Sequence, residues 1–268
     1  MKDFIFKWYA LLFAKPVFER FNLLLMHLSL RGLGILNHQT HKLSGEQFFI
    51  NYIFQNYSIK TIFDVGANVG NYTQLFADKQ CQIYCFEPHP NNYPSLQNRY
   101  KDYSNINTFN IGISNTQTTA KIYDYEDNFG SPHASIFQEV ITTVHANKAR
   151  SADIKLDTLD NILAAESVSH IDLLKLDIEG NELSALQGAK SALAKNTIDI
   201  IQIEFTVINI ISRSFFNDFV AILPQYNFYR LLPNAFLPID NSNKTPLQNE
   251  LFAFQNIVAI RKAIDKNS

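Results

Sequence analysis

Three short stretches of this chain hold the residue types that chemistry needs, at spacings chemistry can use. The first is Thr61-Ile-Phe-Asp64-Val-Gly66-Ala-Asn68-Val-Gly70-Asn71, an apolar run ending in a carboxylate and two of the chain's nine glycines. A glycine at a strand tip lets the backbone turn sharply and a ligand approach closely, and a helix starting there presents free N–H groups. This reads as a nucleotide-type site. The second is Cys85-Phe86-Glu87-Pro88, whose acid falls 21 residues after Gly66, where a carboxylate at the next strand's tip can take both ribose hydroxyls. The third is Ile171-Asp172-Leu-Leu-Lys175-Leu-Asp177-Ile178-Glu179-Gly180-Asn181-Glu182. It puts Asp177 and Glu179 at a strand's carboxyl end, where ligands of open α/β sheets bind, and Glu182 where it favours a helix dipole.

Two ligands compete for the glycine turn. A dinucleotide turn needs G-x-G-x-x-G so that a pyrophosphate can rest on the helix N-terminus, and an NAD-dependent oxidoreductase would use it so. Here the pattern is G-x-x-x-G, Asn68 stands at the middle glycine, and Asp64 precedes the first. A carboxylate repels a pyrophosphate but suits the sulfonium of S-adenosylmethionine (SAM). Glu87 supports a ribose without choosing between the two cofactors.

These residues need a frame, and length and composition allow one. The chain has 268 residues, 46% of them hydrophobic, with Gly and Pro at nine each and a formal charge of −2. That is enough to bury a full core, and it excludes collagen-like, disordered and disulfide-scaffold classes. A near-neutral charge argues against nucleic acid as a partner, since phosphate binding needs a basic surplus. From about residue 45, short β-rich runs alternate with helical ones, the signature of an α/β fold with a mainly parallel sheet. Strands are predicted at Lys60 to Val65, Gln82 to Phe86, Asn107 to Ile113, Ile171 to Leu176, Ile198 to Phe205, Phe228 to Leu232 and Ile257 to Ile260. Helices are predicted from the glycine turn to Ala77, at Pro94 to Tyr100, Glu182 to Ala194 and Phe215 to Leu223. The polar stretch from Thr116 to Ser151 reads as one strand, Ala120 to Tyr125, and a loop around Asn128 to Ser135 of the long kind that tends to be functional.

In order and spacing, the chain resembles the FkbM-type SAM-dependent methyltransferases from about Ser44 to Phe205. The resemblance rests on Phe63-Asp-Val-Gly-Ala-Asn-Val-Gly70, Phe86-Glu-Pro88, Asn110-Ile-Gly-Ile-Ser114, Leu156-Asp-Thr-Leu-Asp160, Leu174-Lys-Leu-Asp-Ile-Glu-Gly-Asn-Glu182, Leu186-Gln-Gly-Ala189 and Ile203-Glu204. It implies a class I methyltransferase sheet, Rossmann-like with helices on both faces, SAM as cofactor, and methyl transfer to a hydroxyl of a sugar, glycoconjugate or related natural product. Carried over by position, Asp64, Gly66, Asn68 and Gly70 form the methionine and ribose side of the site. Glu87 holds the ribose diol, and Asn110 to Gly112 lie near the adenine. O-methylation then asks for in-line positioning and removal of the acceptor proton. Asp177 and Glu179 are candidate bases, or with Asn181 oxygen ligands of an optional Mg2+. His133, in the polar loop, and Glu204, at a strand tip, are further base candidates. A module of this fold that binds SAM without turnover is a third reading.

The first 43 residues read as a helical extension of a domain spanning 44 to 268. Their longest uncharged run, Phe21 to Leu30, is far short of the ~20 apolar residues that span a bilayer. Asp3 in the would-be basic region and the lack of a small-x-small site argue against a signal peptide. Lys2, Lys7, Lys15, Arg20 and Arg31 against Asp3 and Glu19 give +3 over residues 1 to 36, interleaved with aromatics. The plain expectation is helices, broken at Pro16, that cap the domain or pack in a homodimer; the alternative is peripheral membrane contact through an interfacial helix. Cys81 and Cys85 lie ~13 Å apart along a strand, too far to bridge, which suits reduced thiols and a cytoplasmic location. The other histidines, His27, His38, His41, His89, His145 and His170, are scattered and read as structural, with no metal site.

Overall fold

The computed structural model describes residues 2–240 and 246–267. Two helices open the chain, α1 (Lys2–Phe13) and α2 (Glu19–Gly32), separated at Pro16 by a single 3-10 turn. A third, α3 (Glu46–Asn56), which the sequence reading did not single out, leads into β1 (Thr61–Val65), β2 (Gln82–Phe86), α4 (Asn92–Tyr100) and β3 (Ile106–Phe109). After β4 (Gly112–Ile113) come β5 (Thr118–Tyr125), β6 (Ala149–Asp157), α5 (Leu159–Ala165) and β7 (Ile171–Leu176). Then follow α6 (Glu182–Gln187), α7 (Lys190–Ala194), β8 (Ile198–Phe205), α8 (Ile208–Ser212), α9 (Phe216–Ile222), β9 (Tyr226–Leu232), β10 (Ala235–Ile239) and β11 (Gln255–Arg261).

Eight strands form one sheet in the order β10-β9-β11-β8-β7-β1-β2-β3. From β3 to β8 the pairing is parallel; β11 runs antiparallel to β8 and β9, and β9 to β10. The order reverses at β1: the chain runs outward through β2 and β3, then returns to lay β7 on the other side of β1, with Asp64 opposite Lys175. That is the switch point at which open α/β sheets hold ligands.

Each central strand is apolar on both sides, as a sheet covered on both faces requires. One core holds Phe63, Leu174 and Ile201 under α5, α6, α7 and α9, and the other holds Ile62, Leu173 and Ile200 under α3 and α4. Full burial of one such side chain contributes about 1.5–3 kcal/mol.

Four expectations need correction. The glycine turn leads into no helix, only a 3-10 turn over Thr73–Leu75, because the buried Thr73 hydroxyl is tied to Asp64 (2.6 Å). The strand expected at Asn107 to Ile113 is two strands in different sheets, bent at Asn110, whose amide bonds the Glu87 carbonyl. The helix expected at Glu182 to Ala194 breaks at Gly188, where an added Cβ would lie 2.1 Å from the Ser114 carbonyl oxygen. The polar stretch holds most of a second sheet, β4-β6-β5, whose β5–β6 ribbon folds over the carboxyl ends of the main strands.

Candidate active site

At the tip of β1 the chain turns at Gly66 (φ +87°), and its N–H, with that of Ala67, donates to the Phe86 carbonyl. A Cβ on Gly66 would lie 1.8 Å from the Asp177 carbonyl oxygen, so only glycine lets the tips of β1 and β7 close to this distance. Asn68 takes a left-handed conformation (φ +49°), which aims its N–H at Glu87 Oε2 (2.8 Å), while the His89 N–H donates to Oε1 (2.7 Å). Burial pushes the Glu87 carboxyl up to about 7 against those two donors. The turn's N–H groups are therefore taken up within the protein, those of Gly66 and Ala67 by the Phe86 carbonyl and that of Asn68 by Glu87.

Glu87 looks into a cavity at the carboxyl ends of the strands. Gly66, Asn68 and Asp177 line one end, and Gly112, Ile122 and Leu156 the other. Its roof is the loop Ser131 to Ala134, which Asp124 holds in place. The fully buried Asp124 carboxylate accepts the N–H groups of Gly130 (2.6 Å) and Ser131 (2.8 Å) and the Ser131 hydroxyl.

A second, more open cavity shares the wall formed by Gly66, Asn68, Pro132 and Asp177. Its other walls carry mostly polar side chains, His38, Gln39, Thr40 and His41 from the segment after α2, with Glu46, Tyr72, Glu204 and Asn256, beside the Phe254 ring. Lys175 lies beneath, buried, with Nζ 2.9 Å from Asp177 and 3.6 Å from Asp64 and over the Tyr72 ring. Burial opposes its charge, but the two carboxylates outweigh burial and keep it protonated. Burial likewise opposes ionisation of Asp177, yet Lys175 and a hydrogen bond from Glu204 hold it below the usual carboxylate range. Burial and the Asp177 charge push Glu204 well up. The surroundings thus favour the ionised form of Asp177 and the neutral form of Glu204.

The structure brings together Gly66, Asn68, Glu87, Gly112, Asp177 and Glu179 around the first cavity and Asp177 with Glu204 at the second. It sets Asp64 apart: the carboxylate is fully buried, turned to Thr73 and Lys175, and lines neither cavity. Gly70 packs against Tyr100, whose hydroxyl donates to the Gly70 carbonyl, and Asn110 is exposed and braces the Glu87 and Pro88 carbonyls. His133 reaches Glu179 (Nδ1 to Oε1, 3.3 Å), which raises its pKa, and its ring lies against His145. The oxygen set considered for Mg2+ does not fit one: Lys175 occupies Asp177, His133 occupies Glu179, and the Asn181 amide donates to the Ile113 carbonyl.

Two histidines read as structural, His38 and His41, line the second cavity. His170, also read so, converges with Asp172 and Asp199 at the amino ends of the strands, far from the site. There Asp172 accepts the N–H groups of Lys60 and Thr61, and Asp199 pairs with Arg261. Lys175, Asp124 and Glu182 were missed as parts of the site. The Glu182 carboxylate accepts the Ile178 and Gly180 N–H groups and so shapes the turn that presents Glu179 at φ +52°. A lysine inside the apolar run Leu174-Lys175-Leu176 was a legible signal, since a buried cation demands a partner.

The model of the Methyltransferase FkbM domain matches residues 64–230, well over half of the chain and including the turns at Gly66, Glu87 and Glu179. The chain belongs to the FkbM methyltransferase family. Membership sets the nicotinamide reading aside. A curated relative, the hexuronic acid methyltransferase AglP of Haloferax volcanii, is 24% identical over 163 residues, 60% of this chain and 63% of that protein. The chain thus spans less than two thirds of the length of the curated relative it matches. Among solved structures, an rRNA methylase from Streptococcus thermophilus aligns at TM-score 0.45 and 11% identity, over 81% of this chain and 96% of that one. The Methanococcus jannaschii fibrillarin pre-rRNA processing protein aligns at TM-score 0.41 and 13% identity, over 76% and 67%. Within the FkbM domain, β1, β2 and β7 carry the site. Among the described residues, no helix is long and apolar enough to cross a membrane.

Proposed function

We propose that this FkbM-family chain transfers a methyl group from SAM to a hydroxyl of a sugar or glycoconjugate. The observation that carries the reading is the junction of the two cavities at Gly66, Asn68 and Asp177, with Glu87 buried in the first and a polar wall around the second.

The residues present fit the cofactor. Each Glu87 oxygen accepts one N–H and keeps a lone pair for a ribose hydroxyl. Gly112 lacks a Cβ that would lie 2.7 Å from Leu156, which opens an apolar slot between Ile113, Ile122 and Leu156 for a purine. Gly66, Asn68 and Asp177 would face the amino-acid end. SAM supplies a methyl group already activated on a sulfonium, so the chain's tasks are positioning and proton removal.

Asp177 is the group for that second task. It is ionised, stands in the wall common to both cavities, and is held by Lys175 and Glu204. The acceptor hydroxyl would give its proton to the Asp177 carboxylate as its oxygen takes the methyl group, the methyl–sulfur bond breaking and S-adenosylhomocysteine leaving. The polar side chains of the second cavity and the similarity to a hexuronic acid methyltransferase support a sugar acceptor. Because residues 38–41 line that cavity, the catalytic unit takes in the segment after α2, ahead of the boundary at 43 and 44 drawn from sequence.

Calorimetric titration with SAM, S-adenosylhomocysteine and NAD, for wild type and Glu87→Ala, tests the cofactor. Loss of a charge-assisted ribose contact costs roughly 1.5–3 kcal/mol, about ten- to a hundredfold in affinity. Absence of SAM binding, or binding unaffected by the substitution, overturns the proposal. Incubation with SAM and hexuronic acid or hexose glycosides, read by mass spectrometry, then tests the acceptor.

A further inference from the structure

The two N-terminal helices carry a surface that the methyl-transfer reading does not use. No residue of α1 or α2 is buried. Side chains that normally fill cores stand in solvent, among them Phe4 and Phe6 (66% exposed each), Leu11 (59%) and Val17 (80%). The helices form a hairpin held by their own aromatics: Phe13 packs on Tyr9, Phe18 and Phe21, and the Tyr9 hydroxyl donates to Asn22. That contact leaves Phe4, Ile5, Trp8, Leu11 and Leu12 as an apolar face of α1, bordered by Lys7 next to Leu11. The hairpin joins the body through Gly34 to Asn37, where Ile35 is buried and the Leu36 N–H donates to the Phe254 carbonyl.

We infer that this hairpin docks on an anionic lipid surface. Both helices, at 12 and 14 residues, reach only about 18 and 21 Å at 1.5 Å per residue, short of a ~30 Å hydrocarbon core, so they lie in the interface without crossing it. Charge chooses the occupant. Lys2, Lys7, Lys15, Arg20 and Arg31 outnumber Asp3 and Glu19 in the hairpin, a surplus that attracts acidic headgroups and repels a second copy. Trp8 and Tyr9 are amphipathic rings of the type that settles at headgroup level. The anchor runs without a break into residues 38–41, which line the second cavity, so docking brings that cavity's rim to the lipid.

The test is flotation of the full chain with vesicles of phosphatidylglycerol or phosphatidylcholine, alongside the double variant Trp8→Glu, Leu12→Glu. Circular dichroism and the melting temperature check its fold, and both positions are exposed, so the body should be unaffected. We expect at least tenfold tighter binding to the anionic vesicles and its loss in the variant. Lack of binding to anionic vesicles overturns the inference, as does equal binding by the variant. A stable dimer in light scattering that the variant dissolves also overturns it, because the face would then belong to a second copy. None of these readouts depends on methyl transfer, so failure here is separable from failure of the proposed activity.

Discussion

Asp177 and Glu204 have the same functional group and opposite tasks, and Lys175 decides which is which. The buried ammonium sits on Asp177 at 2.9 Å and favours its ionised form, so the shared proton stays on Glu204. The two positions therefore differ in what an amide can replace. Glu204→Gln keeps a donor toward Asp177 and should leave kcat near wild type, whereas Asp177→Asn removes the proposed base and should lower kcat by about 10²- to 10⁴-fold. Equal losses at both positions in a methyl-transfer assay would reject this division of labour. Glu87 is governed by burial instead. Its carboxyl, pushed up to about 7, must be ionised to accept both ribose hydroxyls. SAM affinity should thus weaken as pH falls below about 7, approaching tenfold per pH unit, and level off above. Titrations across pH 5.5–8.5 should show that slope in wild type and none in Glu87→Gln.

The elements that carry the site were legible, and those that cover it were not. β1, β2 and β7 are legible because short, mostly apolar runs end at Gly66, Glu87 and Asp177, and the switch point makes those three ends neighbours. Of the β5–β6 ribbon the sequence points to β5 but not to β6, because one face of the ribbon is exposed and its apolar residues, Ile122, Ile154 and Leu156, form only a small cluster. Asp64 was read as a ligand because strand position does not reveal that its side chain turns inward to Lys175. Asp124 gave no sequence signal, since its four donors, from Tyr125, Gly130 and Ser131, come from a fold-back that only the structure reveals. It nevertheless holds the roof of the first cavity. In Asp124→Ala several buried donors lose their acceptor, at about 1–3 kcal/mol each. Limited proteolysis should then cut between residues 126 and 134 far faster than in wild type, and bound SAM should restore part of the protection. An unchanged cleavage rate would mean the loop is held by other contacts.

At the scale of the whole molecule, the site works against the stability of the fold that builds it. Glu87 and Glu182 are nearly fully buried and each is pushed from 4.5 up to about 7, while Glu204 moves in the same direction. A carboxyl with a raised folded-state pKa binds more protons folded than unfolded, so its contribution is full below about 4.5 and is lost as pH rises through about 7. For Glu87 and Glu182 the loss is on the order of 3 kcal/mol each. His133, raised by Glu179, adds to the same slope, whereas His89 and His145, lowered by burial, titrate the opposite way and offset part of it. The cofactor-free protein should therefore melt at a lower temperature at pH 7.5 than at pH 5, by about 5 °C or more. Glu182→Gln should flatten the dependence without touching the first cavity's ribose contact. Because Glu87 becomes ionised and engaged when SAM binds, saturating cofactor should recover most of the melting temperature at pH 7.5 and little at pH 5. A melting temperature that rises steadily from pH 5 to 7.5 in the free protein would show that these acids are hydrated, and would remove the basis for placing Glu87 in a dry cofactor cavity.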